Sequence, residues 1–323
     1  MKGGIRLFYS RLLRVKEIGS LSGLLIIIII FSLLSGKFLT RENFIGIFTI
    51  TSELGIIAIG VCFLMIAGEF DLSVGSVFAV APMIGALLGK IGVPMVGAFF
   101  VSLFASAVIG YFNGLIVIKT GIPSFIVTLG AMMFYRGVLL AVSGGFTITF
   151  MGEDTAFLDA LGGKIFMGMR ASGIWFIAAT IIFSIVLNNT KYGNHVFAVG
   201  GNPGTAKALG INVNRVKLIN FVLCSVMAGL AGFTMFGRFH SIDPTAGSLH
   251  ELEAIASAVI GGALLTGGYG SIVGAFIGAF LIGVMRSGLI LAGAPSYWYQ
   301  GFIGVVLVIS VIINTKIRKA VAG

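Results

Sequence analysis

The sequence predicts an all-α, polytopic membrane protein of about ten transmembrane helices, with the N- and C-termini in the cytoplasm. Of its 323 residues, 58% are hydrophobic and only 10% are charged. The mean hydropathy is +1.10, and apolar stretches of about 20 residues, long enough to cross a bilayer, recur with short polar gaps. No stretch remains for a separate soluble domain, so we expect residues 1–323 to form one transmembrane domain.

Apolar runs between polar breaks define the predicted spans. These are residues 21–38, 45–67, 72–89, 93–118, 123–142, 172–188, 218–237, 252–268, 271–291 and 297–313. The first span follows a basic N-terminus and imitates a signal peptide, but it is long enough to span and lacks a small-residue cleavage pattern. Residues 72–89 and 252–268 are short, glycine-rich or interrupted. Either can instead be a re-entrant or broken helix buried in protein.

Basic residues indicate the orientation. Residues 1–20 carry a basic cluster, and if they lie in the cytoplasm, ten crossings also place residues 188–217 and the basic C-terminus there, as the positive-inside rule requires. Residues 188–217 carry no acidic residue, whereas the predicted external segment, residues 143–172, carries both signs. The cytoplasmic segment is therefore expected to bind a partner. The net charge of +10 does not predict nucleic-acid binding, because no basic, aromatic-laced folded region accompanies it.

Two stretches echo one another along the chain. Glu53-Leu54 followed by Ser73–Ser76 resembles Glu251-Leu252 followed by Ser271–Gly274. Transport folds often contain repeated halves with the substrate path at their interface, so the echo favours an internal repeat and a transporter.

The candidate pathway residues are polar groups within or beside these stretches. They are Asp71, Ser73, Asn113, Glu251 and Glu253. An acid in mid-membrane costs roughly 2.5–3.5 kcal/mol, so a buried Asp71 would be functional or paired. The alternative is an interfacial turn in which Asp71 caps the next helix. Arg136 and Arg286 lie within predicted spans and are expected to snorkel or to pair across the bundle.

Enzyme chemistry is not predicted. His240, Asp243, His250 and Glu253 are an alternative metal site, but their spacing matches no metal motif, and helix capping and interfacial solvation are favoured; we expect no metal and no cofactor. The chain lacks G-x-x-x-x-G-K-[ST], so it cannot hydrolyse ATP by that route. It also lacks G-x-S-x-G and H-E-x-x-H. The remaining alternatives are an ion-coupled secondary transporter, which needs a buried carboxylate cluster, and a membrane enzyme acting on lipid-linked substrates.

Residues 192–213, with the sequence YGNHVFAVGGNPGTAKALGINV, resemble the permease subunits of ribose-type monosaccharide ABC importers. Agreement extends to 68–76, 123–130, Arg136-Gly137, 243–247 and 267–268, and the resemblance covers residues 20–315. This chain has Glu69 where the family often carries a small residue.

The resemblance implies a multi-pass permease in the inner (plasma) membrane, surrounded by lipid. Its implied partners are a cytoplasmic ABC ATPase, a periplasmic or lipid-anchored sugar-binding protein, and a second permease that is identical or paralogous. The implied solute is ribose or another monosaccharide, with autoinducer-2, inositol or a nucleoside as alternatives. The implied ATPase-coupling residues are Gly200, Gly201, Asn202, Ala206, Gly210 and Ile211.

Overall fold

The computed structural model describes residues 17–152, 155–295 and 297–322, which form a helical bundle. The helices are α1 Ile18–Leu34, α2 Arg41–Ile66, α3 Val74–Lys90, α4 Met95–Thr120, α5 Ser124–Ser143, α6 Ala156–Gly162, α7 Ser172–Asn189, α8 Lys191–Gly201, α9 Pro203–Ala208, α10 Val213–Phe239, α11 His250–Ile260, α12 Ile272–Leu291 and α13 Trp298–Ala322. Strands β1 (Ile148–Thr149) and β2 (Ser241–Ile242) pair antiparallel.

Helices α2 and α10 form the centre of the bundle. The second half of α2 is buried on every side, from Thr51 to Ile66, against α7, α10, α11 and α12. From Leu54 to Ile66 every residue is apolar or glycine, and a helix that is apolar all round lies in a protein core or spans a membrane. Gly60 permits the close approach of α10, because a Cβ there would lie 3.0 Å from the Cα of Cys224. Helix α5 lies at the edge of the bundle, and only Ser124, Thr128 and Leu139 of its 20 residues are buried.

Nine of the predicted spans correspond to apolar helices. Within the described residues, six helices are long and apolar enough to cross a membrane, namely α2, α4, α5, α7, α10 and α12. Three shorter apolar helices occupy Gly19–Leu34, Val74–Lys90 and Trp298–Ile309. The structure therefore confirms an all-α polytopic protein. The number of crossings and the side on which the termini lie stay predictions.

The tenth predicted span, residues 252–268, is wrong as a continuous spanning helix. Helix α11 has 11 residues and ends at Ile260, so it is about 16 Å long, roughly half of a 30 Å hydrocarbon core. The chain then turns through Gly262, Gly267 and Gly268, which all have positive φ. Glycine adopts this conformation without steric cost, so the segment breaks here. The broken-helix alternative is the one the structure contains.

The other ambiguous span, residues 72–89, is a 17-residue helix that begins inside the protein. Residues 71–79 are buried, and the start of α3 meets the start of α11: Gly75 leaves room for no side chain beside the Gly247 carbonyl oxygen and Glu251. Pro82 lies within α3. Two half-buried helices thus meet with their N-terminal ends inside the bundle.

Candidate coupling surface and substrate pathway

The loop between α2 and α3, residues 67–73, holds a buried polar cluster. Asp71 is fully buried, and its Oδ1 accepts hydrogen bonds from the Ser73 backbone N–H (2.8 Å) and the Ser73 hydroxyl (2.6 Å). Asn113 of α4 donates to the Ser73 hydroxyl (2.9 Å), and Ser225 of α10 donates to Asp71 Oδ2 (3.5 Å). Asp71 is therefore buried and paired, and it closes the turn before α3; it is not an interfacial cap, because the start of α3 has no side-chain cap.

The backbone of this loop is held by two hydroxyls of α5. Ser124 accepts a hydrogen bond from the Phe70 N–H (3.0 Å), and Thr128 accepts one from the Leu72 N–H (3.1 Å). A buried backbone N–H needs such a partner, so these side chains position the loop. Neither these two hydroxyls nor Ser225 was predicted from the sequence as part of the site. The available signal was a pair of hydroxyls four residues apart, on one face of an apolar helix.

Glu251 and Glu253 lie at the start of α11, apart from the Asp71 cluster. Both residues are buried; Glu251 Oε2 has no hydrogen-bond partner among the described residues, and Glu253 Oε2 lies 3.5 Å from His250 Nδ1. Beside Glu253 is a cleft of about 130 Å³ between α11 and α13. The residues lining it are Leu249, Leu252, Glu253, Tyr299, Gln300, Ile303, Gly304 and Leu307.

The five candidate residues thus form two groups. Asp71, Ser73 and Asn113 form a hydrogen-bonded cluster inside the chain, and no cleft reaches them among those found in the described residues. Glu251 and Glu253 form the second group in the first turn of α11, and Glu253 lines a cleft. Their roles in a pathway stay predictions.

Both arginines predicted within spans have partners. Arg136 donates from Nη1 to the carbonyl oxygens of Pro244 (2.5 Å) and Ala246 (2.9 Å), and from Nη2 to that of Gly75 (3.2 Å). It therefore joins α5 to the loop before α11 and to the start of α3. The Arg286 guanidinium lies 5.2 Å from the centre of the Tyr299 ring.

The residues of the alternative metal site are engaged separately. His240 Nε2 lies 3.5 Å from an oxygen of Asp159. Asp243 accepts hydrogen bonds from the Thr245 N–H (2.8 Å) and from the hydroxyls of Thr245 and Thr147, and the Thr245 bonds lower the pKa of Asp243. Across 17–152, 155–295 and 297–322, no group of three or more His, Cys, Asp or Glu side chains is placed to hold a metal ion.

Polar residues of the 188–217 segment begin its helices. Thr190 accepts a hydrogen bond from the Gly193 N–H at the start of α8, Asn202 accepts one from Thr205 at the start of α9, and Asn212 caps α10. Pro203 occupies the first turn of α9, where its missing N–H costs nothing. The segment is therefore two short, individually capped helices.

The end of α8 packs tightly against the bundle. Gly200 is buried, and a Cβ there would overlap the Ile66 carbonyl oxygen and lie 2.6 Å from the Gly268 nitrogen. The Gly268 N–H donates to that same carbonyl (2.8 Å). Gly267 in turn lies against Gly68, since a Cβ on Gly267 would be 2.8 Å from the Gly68 Cα. The two echoing stretches thus bring their loops together beside α8.

The six predicted coupling residues divide by exposure. Gly200 and Ala206 are buried against the bundle, and Ile211 is half-buried. The exposed ones are Gly201, Asn202 and Gly210. Leu209, which the sequence analysis missed, is 75% exposed.

An ion pair joins the 67–73 loop to the helix that follows this segment. Lys217 Nζ of α10 lies 2.5 Å from Glu69 Oε1, and both side chains are mostly buried. Glu69 therefore has a specific partner in this chain.

Comparison with known proteins identifies the family of this chain. The family described as the permease component of branched-chain amino acid transport systems matches residues 43–311. The chain is 36% identical to the ribose import permease protein of Bacillus subtilis over 94% of both chains, and 36% identical to that of Escherichia coli K12, also over 94% of both. It is 28% identical to the xylose transport system permease protein of Escherichia coli K12 over 88% of this chain and 87% of the relative. No solved structure matches it significantly. The chain therefore belongs to this family of transport-system permease components, and it is a multi-pass membrane protein and not an enzyme.

Proposed function

We propose that the chain is the membrane-spanning subunit of an ABC importer that carries a simple sugar, ribose or a similar monosaccharide, across the inner membrane. The observation that carries this proposal is the 36% identity, over 94% of the chain, to the ribose import permease proteins of Bacillus subtilis and Escherichia coli K12. Similarity to ribose and xylose permeases supports the solute class. Autoinducer-2, inositol and nucleosides are the alternative solutes.

The exposed part of the 188–217 segment is the proposed contact for a separate cytoplasmic ATPase. Leu209 and Asn202 would contact the ATPase, with Gly201 and Gly210 permitting close approach of the backbone. Lys207 and Arg215 add positive charge at the same surface. Gly200 and Ala206 would transmit the movement inward, because both are packed against the chain itself.

Two loops are the proposed route from this surface to the pathway. A movement of α8 would be transmitted to loop 67–73 at Gly68 and to loop 261–271 at Gly267 and Gly268. These loops lead into α3 and follow α11, and the starts of α3 and α11 meet at Gly75 and Glu251. A shift of α8 would therefore change how the two short helices meet.

The proposed roles of the pathway candidates follow from these positions. Glu251 and Glu253 would line the path, because they lie where α3 and α11 meet and where α11 borders a cleft. Asp71, Ser73 and Asn113 would gate it by fixing the start of α3. A neutral polyol suits a path of scattered polar groups, because weak binding permits release.

The remaining proposed partners are a periplasmic or lipid-anchored sugar-binding protein on the external side and a second permease, identical or paralogous. The external position of the binding protein assumes that the termini are cytoplasmic. The basic charge of residues 188–217 supports this orientation.

Uptake of labelled ribose, xylose and hexoses into proteoliposomes tests this proposal. The chain is compared alone and together with its candidate ATPase and binding protein, with and without internal ATP. An ATPase that lacks its phosphate-loop lysine is the matched control. Uptake that needs every component and ATP is the expected result. ATP-independent uptake by the chain alone would refute the importer and favour the ion-coupled alternative.

A further inference from the structure

The bundle has an apolar groove on its outer surface between α1 and α2. Its volume is about 420 Å³, within the roughly 300–1,000 Å³ range of ligand sites. Eight apolar residues, one hydroxyl and one guanidinium line it: Leu24, Ile28, Phe38, Leu39, Phe44, Ile47, Phe280, Val284, Thr40 and Arg41. A sugar would find few hydrogen-bonding groups here.

The groove exists because α1 packs on α12 and not closely on α2. Gly288 of α12 admits the Phe31 ring of α1, since a side chain there would overlap that ring. Helix α1 is thereby held against α12 and leaves the first turns of α2 uncovered, where Phe44 is 58% exposed. The groove runs from the middle of α1 and α12 to the first turn of α2.

Arg41 is the one charged residue among those that line this groove, and it lies at one end. Arg41 lines the groove and donates through Nη2 to the Met167 carbonyl oxygen (2.8 Å). A guanidinium has five donors in a planar fork that matches a phosphate, so one backbone bond leaves most of them for a ligand. Lys37 is exposed in the preceding turn, and Glu42, which is also exposed, does not line the groove.

We propose that this groove binds one glycerophospholipid, with an acyl chain between α1 and α2 and the headgroup phosphate on Arg41. An apolar cleft that opens to the hydrocarbon and ends at a cation reproduces the order of chemical groups along a lipid molecule. In the proposed orientation the site lies in the external leaflet. It does not depend on which solute is transported.

Counting retained lipid on the purified full-length chain tests the site. The delipidated protein is incubated with micelles containing phosphatidylglycerol, washed, and examined by native mass spectrometry. We expect the unmodified protein to retain about one phosphatidylglycerol, because a charge-assisted phosphate contact adds to acyl burial. Ile28→Trp, which fills the groove, and Arg41→Gln, which removes the cation, should each weaken retention by about tenfold or more.

Two matched variants control for general effects of substitution. Ile29→Trp places the same ring on the next residue of α1, which is 59% exposed and does not line the groove. Lys90→Gln removes an exposed cation that lies in a different cleft. Both should retain lipid as the unmodified protein does. Equal retention by Ile28→Trp, or a disulfide between two Leu39→Cys protomers in native membranes, would overturn the proposal; the disulfide would mean that a second copy covers the groove.

Discussion

Gly200 of α8 packs directly on the carbonyl oxygen of Ile66, the last residue of α2, with no room for a side chain between them. The Gly268 N–H shares that carbonyl. The contact joins the proposed ATPase-binding segment to the central helix of the bundle and to the loop after α11.

Gly200→Ala should therefore destabilise the protein, because the added methyl group must displace α8 or the end of α2. Overpacking of this kind costs about 1–3 kcal/mol in the free energy of unfolding. Gly201→Ala is the matched control, since a Cβ at Gly201 has no neighbour within 4 Å. Thermal unfolding in detergent compares the two variants. Equal midpoints for both would show that α8 is not seated on Ile66 in solution.

The hydrogen bonds of Asp71 should contribute strongly to stability. Asp71→Ala leaves the Ser73 N–H and hydroxyl without their buried acceptor, so we expect a loss of about 2–4 kcal/mol in the free energy of unfolding. Ser225→Ala removes only the longer contact of 3.5 Å and should cost less than about 1 kcal/mol. Unfolding in mixed micelles measures both variants. A Ser225 effect as large as that of Asp71 would contradict this ranking.

The apolar runs and their lengths predicted most of this fold, because a helix in lipid satisfies its backbone internally and must be long enough to cross. They failed at residues 252–268, where apolar residues continue past Ile260 but glycines turn the backbone. Hydropathy does not distinguish an apolar loop buried in protein from an apolar helix. The hydrophobic length of a segment is therefore weaker evidence for a span where glycines cluster.

Less of the candidate site than of the fold could be predicted from the sequence. Asp71, Ser73 and Asn113 proved to be neighbours, although Asn113 is on another helix. Ser225 and Thr128 were missed because a hydroxyl on an apolar helix commonly bonds to its own backbone, and only tertiary structure shows which hydroxyls face another element. The exposure of Leu209 was not predicted, because nothing in an already apolar sequence distinguishes an exposed leucine from a buried one.

Glu253 distinguishes the importer from the ion-coupled alternative. A path for a neutral sugar needs polar groups but no titratable carboxylate, so Glu253→Gln should retain ATP-dependent uptake within about threefold, while Glu253→Leu should lose about tenfold or more in uptake rate. Uptake into proteoliposomes measures both. Complete loss in the Gln variant, with normal folding, would indicate a proton- or ion-coupled role for the carboxylate.

The Lys217–Glu69 pair should behave as a coupled unit. Glu69→Lys places two like charges together in a mostly buried position, and Lys217→Glu does the same with the opposite sign, so each variant alone should lower uptake and stability. The double variant restores an ion pair of reversed polarity and should recover about 1–3 kcal/mol of the free energy lost by the sum of the single variants. Lys90→Glu is a suitable control, because Lys90 is exposed at the end of α3 and lies outside the proposed ATPase surface, and it should show no such recovery with Glu69→Lys. A double-mutant cycle on unfolding, run beside ATP-dependent uptake, separates the two roles of the pair. Recovery of stability without recovery of uptake would mean that the pair only holds loop 67–73 against α10. Recovery of both would mean that the loop transmits movement from the cytoplasmic segment through this contact.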